Sequence, residues 1–256
     1  MSAANQISAS VRPVDVAVET RPLPRLLAGL TVVTILGVIA GLYMALVYAG
    51  TDIDQGDVQR LFYIHMPAFF GAFLAFGATV IGGIMYLRTR HEKWDVLAVS
   101  GVEIGMAFAI INLVTGSIWA RPIWNTWWTW DPRLTSEAIM VLTYAAYMML
   151  RNGIENPEQR RRFSAVYGIL AFVTVIVTLV IIRIRPDTIH PAVIGASPQN
   201  AQGTFELQAT PGVSAALGVN MLVWGLLLPV TLLWYRIRLE NFALHVDALK
   251  ARLLER

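Results

Sequence analysis

Six long apolar stretches, separated by shorter polar segments, dominate the pattern of hydrophobic and polar positions along the chain. These stretches are Leu26–Ala49, Leu61–Leu87, Val96–Ile118, Leu134–Leu150, Phe163–Ile182 and Val213–Tyr235. A helix that crosses a bilayer needs about 20 mostly apolar residues. The fourth stretch is the shortest and carries Ser136 and Glu137 at its start. The pattern predicts an all-α integral membrane protein with six transmembrane helices.

The composition agrees with this prediction and excludes several kinds of site. The chain is 56% hydrophobic and only 14% charged, whereas about a quarter of the residues in a soluble domain are charged. There is no cysteine, so disulfides, thiolate metal sites and cysteine nucleophiles are excluded. No block of like charges points to nucleic-acid binding.

Basic residues are frequent in every second polar segment between the predicted helices and rare in the others. If the N-terminus lies inside, the inner segments contain fifteen of the twenty Lys and Arg residues: Arg12, Arg21, Arg25, Arg88, Arg90, Lys93, Arg151, Arg160, Arg161, Arg162, Arg236, Arg238, Lys250, Arg252 and Arg256. The outer segments contain the other five: Arg60, Arg121, Arg133, Arg183 and Arg185. Cytoplasmic segments are the basic ones, so both termini are predicted to be cytoplasmic.

Polar segments flank the predicted six-helix domain, residues 25–235. Residues 1–24 are polar with prolines near the first apolar run, and we predict a disordered cytoplasmic arm. That run is too long for the apolar core of a signal peptide. In residues 236–256, apolar side chains recur every three to four positions, which predicts a cytoplasmic amphipathic helix on the inner membrane surface or against a partner.

Five of the eight tryptophans lie within twelve residues of the second outer segment: Trp119, Trp124, Trp127, Trp128 and Trp130. Tryptophan is enriched at membrane interfaces, but an interfacial belt accounts for only part of this cluster. If the segment is helical, Trp124, Trp127 and Trp128 share one face. We call this predicted surface the aromatic shelf. With Asp131 and Arg133 at its edge, it would suit a large planar apolar ligand that carries anionic groups.

Two of the four histidines share the outer side with the tryptophans. His91 and His245 lie in inner segments and are interpreted as surface residues. His65 lies near the outer end of the second apolar stretch, and His190 lies in the third outer loop. A single histidine near a helix end is more often a structural residue. As a pair beside an aromatic surface, however, these two are candidate axial ligands of a haem iron.

The run from Trp119 to Glu137, WARPIWNTWWTWDPRLTSE, closely resembles the WWD signature of haem-handling membrane proteins. The chain length and the six predicted helices resemble the cytochrome c maturation protein C (haem exporter protein C) family of that superfamily. Members of the family tend to have glycine at the positions of Ala120 and Asn125.

The resemblance implies that haem b is bound on the outer side of the membrane, with His65 and His190 as axial ligands of the iron. It implies that the haem-binding residues of segment 119–137 are Trp119, Trp124, Trp127, Trp128, Trp130, Asp131 and Arg133. Arg133, with Arg121 as a second candidate, would contact the propionates.

The resemblance also implies that haem is transferred to a membrane-anchored haem chaperone during c-type cytochrome biogenesis, at the bacterial cytoplasmic (inner) membrane. The implied partners are that chaperone, a small single-span helper, and the ATPase and membrane subunits of an ABC transporter. The chain has no Walker A sequence, so ATP hydrolysis would belong to a partner. We therefore expect a haem-binding transfer protein and not a conventional enzyme.

Three alternatives remain open: a transmembrane haem transporter subunit of an ABC complex, a haem lyase, and a purely structural subunit. Transport predicts polar residues aligned through several helices, for which only Glu103, Asn112 and Asn220 are available. Ionisable residues within spans are costly and are often functional. Glu103 is interpreted here as one partner of a satisfied hydrogen bond between helices.

Overall fold

A computed structural model describes residues 22–53, 55–191 and 212–254, and these residues are almost entirely helical. The α-helices are α1 (Arg25–Tyr43), α2 (Phe62–Thr89), α3 (Glu92–Trp124), α4 (Pro132–Gly153), α5 (Pro157–Ile184), α6 (Val213–Leu222) and α7 (Leu228–Leu254). A π-helical turn, Met44–Tyr48, extends α1, and a second one, Val223–Leu227, joins α6 to α7. A 3-10 turn, Asp57–Leu61, leads into α2.

Five helical segments of the described chain are long and apolar enough to cross a membrane. They are Arg25–Tyr48, Asp57–Thr89, Glu92–Trp124, Pro157–Ile184 and Val213–Leu254. The remaining long helix, α4, has 22 residues and buries several polar side chains: Arg133, Ser136, Glu137 and Arg151. The described chain is thus a multi-pass helical membrane protein with five apolar spans, and α4 corresponds to the fourth and shortest predicted stretch.

Helices α2 and α3 approach each other closely because glycines line their interface. A Cβ atom on Gly101 would lie 2.6 Å from the carbonyl oxygen of Ala75, and one on Gly105 would lie 2.5 Å from the ring of Phe76. On α2, a Cβ atom on Gly82 would lie 2.6 Å from the carbonyl oxygen of Trp94. Small residues allow backbones to pack at this distance within membranes, so these glycines set the spacing of the two helices.

Helix α4 is held in the bundle by aromatic packing and by a buried ion pair. The rings of Phe76 on α2 and Tyr144 on α4 stack with centroids 3.6 Å apart. At the other end of α4, Arg151 donates two hydrogen bonds to Asp95 of α3, at 2.8 and 2.7 Å. Arg161 of α5 lies 3.8 Å from the same carboxylate. These charges join three helices, and the paired geometry offsets the cost of burying them.

The last helical segment is longer than the predicted span. Helix α7 continues without a break from Leu228 to Leu254, so no helix end separates a transmembrane part from residues 236–254. Arg236 forms an ion pair with Glu103 of α3 and a second one, of 2.8 Å, with Glu240. Glu103 therefore has an interhelical partner, as interpreted from the sequence. The position of residues 236–254 relative to a membrane surface remains a prediction.

Candidate functional site

A cavity of about 360 Å³ lies where the start of α2, the end of α3, the start of α4 and the end of α5 meet. Its volume is within the usual range of ligand pockets, and its lining is mainly apolar, as is typical of such sites. The aromatic lining residues include Phe62, Phe69, Phe70, Trp119, Trp124 and Trp128. The polar ones include Asp52, Gln55, Gln59, His65, Asn112, Ser117, Arg133, Glu137, Arg183 and His190.

His65 is held in the first turns of α2 by reciprocal hydrogen bonds with Asn112 of α3. Its Nδ1 lies 2.9 Å from the carbonyl oxygen of Asn112, and the Asn112 side-chain amide donates to the carbonyl oxygen of His65 at 2.6 Å. Because a carbonyl oxygen only accepts, Nδ1 carries the proton of the neutral ring. Nε2 therefore keeps its lone pair, as in histidines that ligate metals.

The His65 ring also depends on a glycine of α3. A Cβ atom on Gly116 would lie 2.8 Å from Cε1 of His65 and 3.3 Å from its Nδ1. Real Cβ atoms essentially never approach a neighbour as closely as 2.8 Å. The absence of a side chain at Gly116 therefore leaves the space that the imidazole fills beside α3.

His190 follows α5 and is held by the backbone around it. Its Nδ1 lies 3.0 Å from the carbonyl oxygen of Pro191, which places the proton on Nδ1 as in His65. Desolvation in the cavity lowers the pKa of His190 below its ordinary value, and the nearby positive charge of Arg133 lowers it further. The ring is therefore neutral around pH 7, with Nε2 available as an acceptor or metal ligand.

The tertiary structure brings these two histidines together. The His65 and His190 ring centroids lie 6.2 Å apart, with ring planes inclined by 34°. The indole of Trp124 packs edge-on against His190, with centroids 6.3 Å apart. Two neutral imidazoles with the same tautomer thus line the same cavity beside an aromatic side chain.

The tryptophan segment does not form the predicted aromatic shelf, because its helix ends too early. Helix α3 stops at Trp124, and Trp127 and Trp128 lie in a non-helical connection to α4. Three of the five indoles line the cavity, namely Trp119, Trp124 and Trp128. The other two, Trp127 and Trp130, are 58% and 77% exposed and are not among its lining residues.

Asn125 explains why the helix ends there. Its φ of 55° is in the left-handed region, which glycine adopts freely and which asparagine tolerates better than most other residues. Arg121 donates to the carbonyl and side-chain oxygens of Asn125, at 2.8 and 2.6 Å. Arg121 thus contacts this helix end and is not among the residues that line the cavity.

Asp131 and Arg133 have different roles at the start of α4. Asp131 is the N-cap residue, and its carboxylate accepts hydrogen bonds from the backbone N–H groups of Arg133 and Leu134, at 2.8 and 3.0 Å. Such caps stabilise helices, so Asp131 positions the segment and is not itself a lining residue. Arg133 does line the cavity. Its guanidinium donates to the carbonyl oxygen of Thr178 and lies 4.7 Å from the Phe69 ring centroid.

Part of the cavity wall comes from the segment before α2, which the sequence analysis did not assign to the site. Gln55 accepts a hydrogen bond of 2.9 Å from the indole nitrogen of Trp119. Gln59 donates to the hydroxyl of the buried Tyr63 at 3.1 Å.

One sequence signal could have identified the pocket around His65. Asn112 and Gly116 are four residues apart, which places them one helical turn apart on α3.

The chain also matches a known protein family. The model of the haem exporter protein C family matches residues 16–238. Among curated relatives, the haem exporter protein C of Paracoccus denitrificans is 30% identical over 181 residues, which are 71% of this chain and 72% of the relative. That of Rhodobacter capsulatus is 35% identical over 134 residues, 52% of this chain and 55% of the relative.

A third relative, the haem exporter protein C of Bradyrhizobium diazoefficiens, is 36% identical over 156 residues, 60% of this chain and 59% of the relative. The alignments with the Rhodobacter capsulatus and Bradyrhizobium diazoefficiens proteins thus span less than two-thirds of each relative's length. The family model, in contrast, covers most of the chain, from before α1 to Arg238 in α7. This chain therefore belongs to the haem exporter protein C family.

Proposed function

We propose that this protein binds haem b in the cavity between α2, α3, α4 and α5 and transfers it to a membrane-anchored haem chaperone during c-type cytochrome biogenesis. The observation that carries the proposal is the pair formed by His65 and His190. Their centroid separation of 6.2 Å is close to that of two imidazoles on opposite sides of one metal ion. Two metal–nitrogen bonds of about 2 Å each, plus the distances to the ring centres, give roughly 6 Å.

The lining of the cavity supports this cargo. Phe69, Trp119, Trp124 and Trp128 offer aromatic surfaces to a flat macrocycle, and Arg133 is a buried cation that can bind a propionate. Both histidines keep Nδ1 on a carbonyl oxygen, which leaves Nε2 of each ring as the candidate iron ligand.

The remaining residues of the predicted site do not line the cavity, and they have different roles. Asp131 caps α4 and so positions Arg133. Trp127 and Trp130 are exposed, where they are available to the membrane interface or to the chaperone that receives the haem. Arg121 supports the end of α3. Among the residues of the predicted site, we therefore restrict the direct haem contacts to the tryptophans that line the cavity, together with Arg133 and the two histidines.

Transfer at one face has more support than transport across the membrane. The polar side chains within the helices are each bonded locally: Glu103 to Arg236, Asn112 to His65, and Asn220 to the carbonyl oxygens of Gly41 and Ala216. Within the described residues, no hydrogen bond joins any of these three side chains to another of them. This arrangement fits a protein that holds haem at one end of the bundle.

We propose the cellular setting on the basis of the family and the predicted topology. The cavity would lie on the outer side of the bacterial cytoplasmic membrane, with both termini inside. The proposed partners are the haem chaperone, a small single-span helper, and the ATPase and membrane subunits of an ABC transporter. The chain itself acts as a haem-binding transfer protein. It binds haem and passes the same haem, chemically unchanged, to the chaperone.

The test is the visible spectrum of the purified protein with haem. Wild type should show low-spin haem with two imidazole ligands, and His65→Ala or His190→Ala should each abolish that signal or convert it to high spin. His91→Ala and His245→Ala are matched controls, because both residues lie outside the cavity lining. An unchanged low-spin spectrum in both site variants would contradict the proposal.

A further inference from the structure

Glu137 is a second buried charge in the cavity, and its contacts are incomplete. It lies one turn after Arg133 on α4, and both residues line the cavity while only 7% of each is exposed. The nearest approach of their charged groups, from an Arg133 terminal nitrogen to Glu137 Oε2, is 3.9 Å. This is an ion pair at long range, without the two short parallel hydrogen bonds of a strong arginine–carboxylate pair.

Several buried polar atoms of the same wall have no hydrogen-bond partner among the described residues. They are Glu137 Oε1, Arg133 Nε and the indole nitrogen of Trp128. Buried polar atoms are nearly always bonded, and each exception needs an explanation. Three residues that line one cavity thus carry one unused acceptor and two unused donors. The donors could bind a carboxylate from a ligand, whereas the acceptor could not.

We propose, on the basis of the haem-binding function proposed above, that Glu137 is an exchangeable counterion of Arg133 and is replaced there by a carboxylate of the bound ligand. In the empty cavity Glu137 balances the buried guanidinium charge through a long contact. When a propionate enters, Arg133 and the Trp128 indole donate to it, and Glu137 loses its partner. Glu137 is thus a positioning residue that acts through Arg133.

This exchange lowers the affinity for the ligand below the value that the site would have without Glu137. It therefore favours release of the ligand. A buried cation without a counterion is strongly destabilising, and Glu137 removes that penalty from the empty state. Without Glu137, the ligand carboxylate would be the main counterion of Arg133, and the ligand would be held more tightly. A transfer protein must release its cargo, and a competing carboxylate inside the cavity promotes this.

The experiment compares two porphyrins on the full chain in detergent micelles. Ferric haem and its dimethyl ester have the same ring and iron, but the ester has no ionisable carboxyl group. We expect Glu137→Gln to lower the Kd for haem by about tenfold while the Kd for the ester changes by less than about twofold. Glu137→Asp, which withdraws the carboxylate by one methylene, should shift the ratio of the two Kd values in the same direction by a smaller factor.

Glu103→Gln is the matched control, because Glu103 is also paired with an arginine but lies away from the cavity lining. It should leave both Kd values unchanged. Equal effects of Glu137→Gln on both porphyrins, or no effect on either, would overturn the counterion role while leaving haem binding intact. Failure of the wild-type protein to bind either porphyrin would instead overturn the proposed function.

Discussion

Asn112 and His65 exchange two hydrogen bonds across the interface of α2 and α3. The Asn112 side chain donates to the carbonyl oxygen of His65 at 2.6 Å, and the Asn112 carbonyl oxygen lies 2.9 Å from Nδ1 of His65. One residue within a span thus restrains both the backbone and the ring of the proposed iron ligand. A polar residue at this depth has a local structural role that also serves the site.

Replacement of Asn112 by alanine should weaken haem binding through His65. The variant loses the side-chain hydrogen bond, which contributes about 1 kcal/mol, so the affinity for haem should fall roughly fivefold. The measurement is a haem titration followed by visible absorbance. Asn220→Ala is the control, because Asn220 is equally buried and bonds to the carbonyl oxygen of Gly41 away from the cavity. It should lower stability by a similar amount and leave haem affinity unchanged.

A methyl group at Gly116 should displace the His65 ring. Because the new Cβ atom would lie 2.8 Å from Cε1 of His65, Gly116→Ala should lower haem affinity about tenfold or more, as expected when a well-packed site must shift. In contrast, Gly77→Ala introduces a Cβ atom with no neighbour within 4 Å and should bind haem as wild type does. Equal spectra and affinities for the two variants would contradict the role assigned to Gly116.

Single tryptophan substitutions should distinguish the indoles that line the cavity from those that are exposed. Trp124 contacts His190 and lines the cavity, so Trp124→Ala should weaken haem binding by about two- to tenfold, the range expected for one aromatic pair. Trp130 is 77% exposed, and Trp130→Ala should leave haem affinity unchanged. If both variants weaken haem binding equally, the ligand reaches beyond the described cavity.

The buried ion pair between Asp95 and Arg151 should matter for stability and not for haem. Asp95→Asn leaves a buried guanidinium without its counterion, which costs about 3–5 kcal/mol. Thermal unfolding in detergent should show this loss, while the folded variant should bind haem as wild type does. Asp247→Asn removes one partner of an exposed pair, with Lys250, and should change the free energy of unfolding by less than about 1 kcal/mol.

The apolar pattern was sufficient to predict the helices, because a bilayer demands long apolar segments and penalises unpaired backbone groups. Five of the six predicted stretches correspond to helices that are apolar enough to span a membrane, and the fourth corresponds to α4. The family could also be inferred, since the residues from Trp119 to Glu137 form a specific motif. These features depend on composition and order along the chain.

The shape of the site depends on contacts between distant segments, which local pattern does not encode. The left-handed Asn125 ends α3 and turns Trp127 and Trp130 away from the cavity lining, although helical spacing predicted one shared face for Trp124, Trp127 and Trp128. The space for His65 comes from Gly116, and the pair of Arg133 and Glu137, although its members are only four residues apart on one helix, is buried only by the surrounding helices. The sequence alone therefore determined the helices, the family and the candidate ligands. Only the folded chain decided which side chains share the cavity, because burial and close packing arise between helices and not along them.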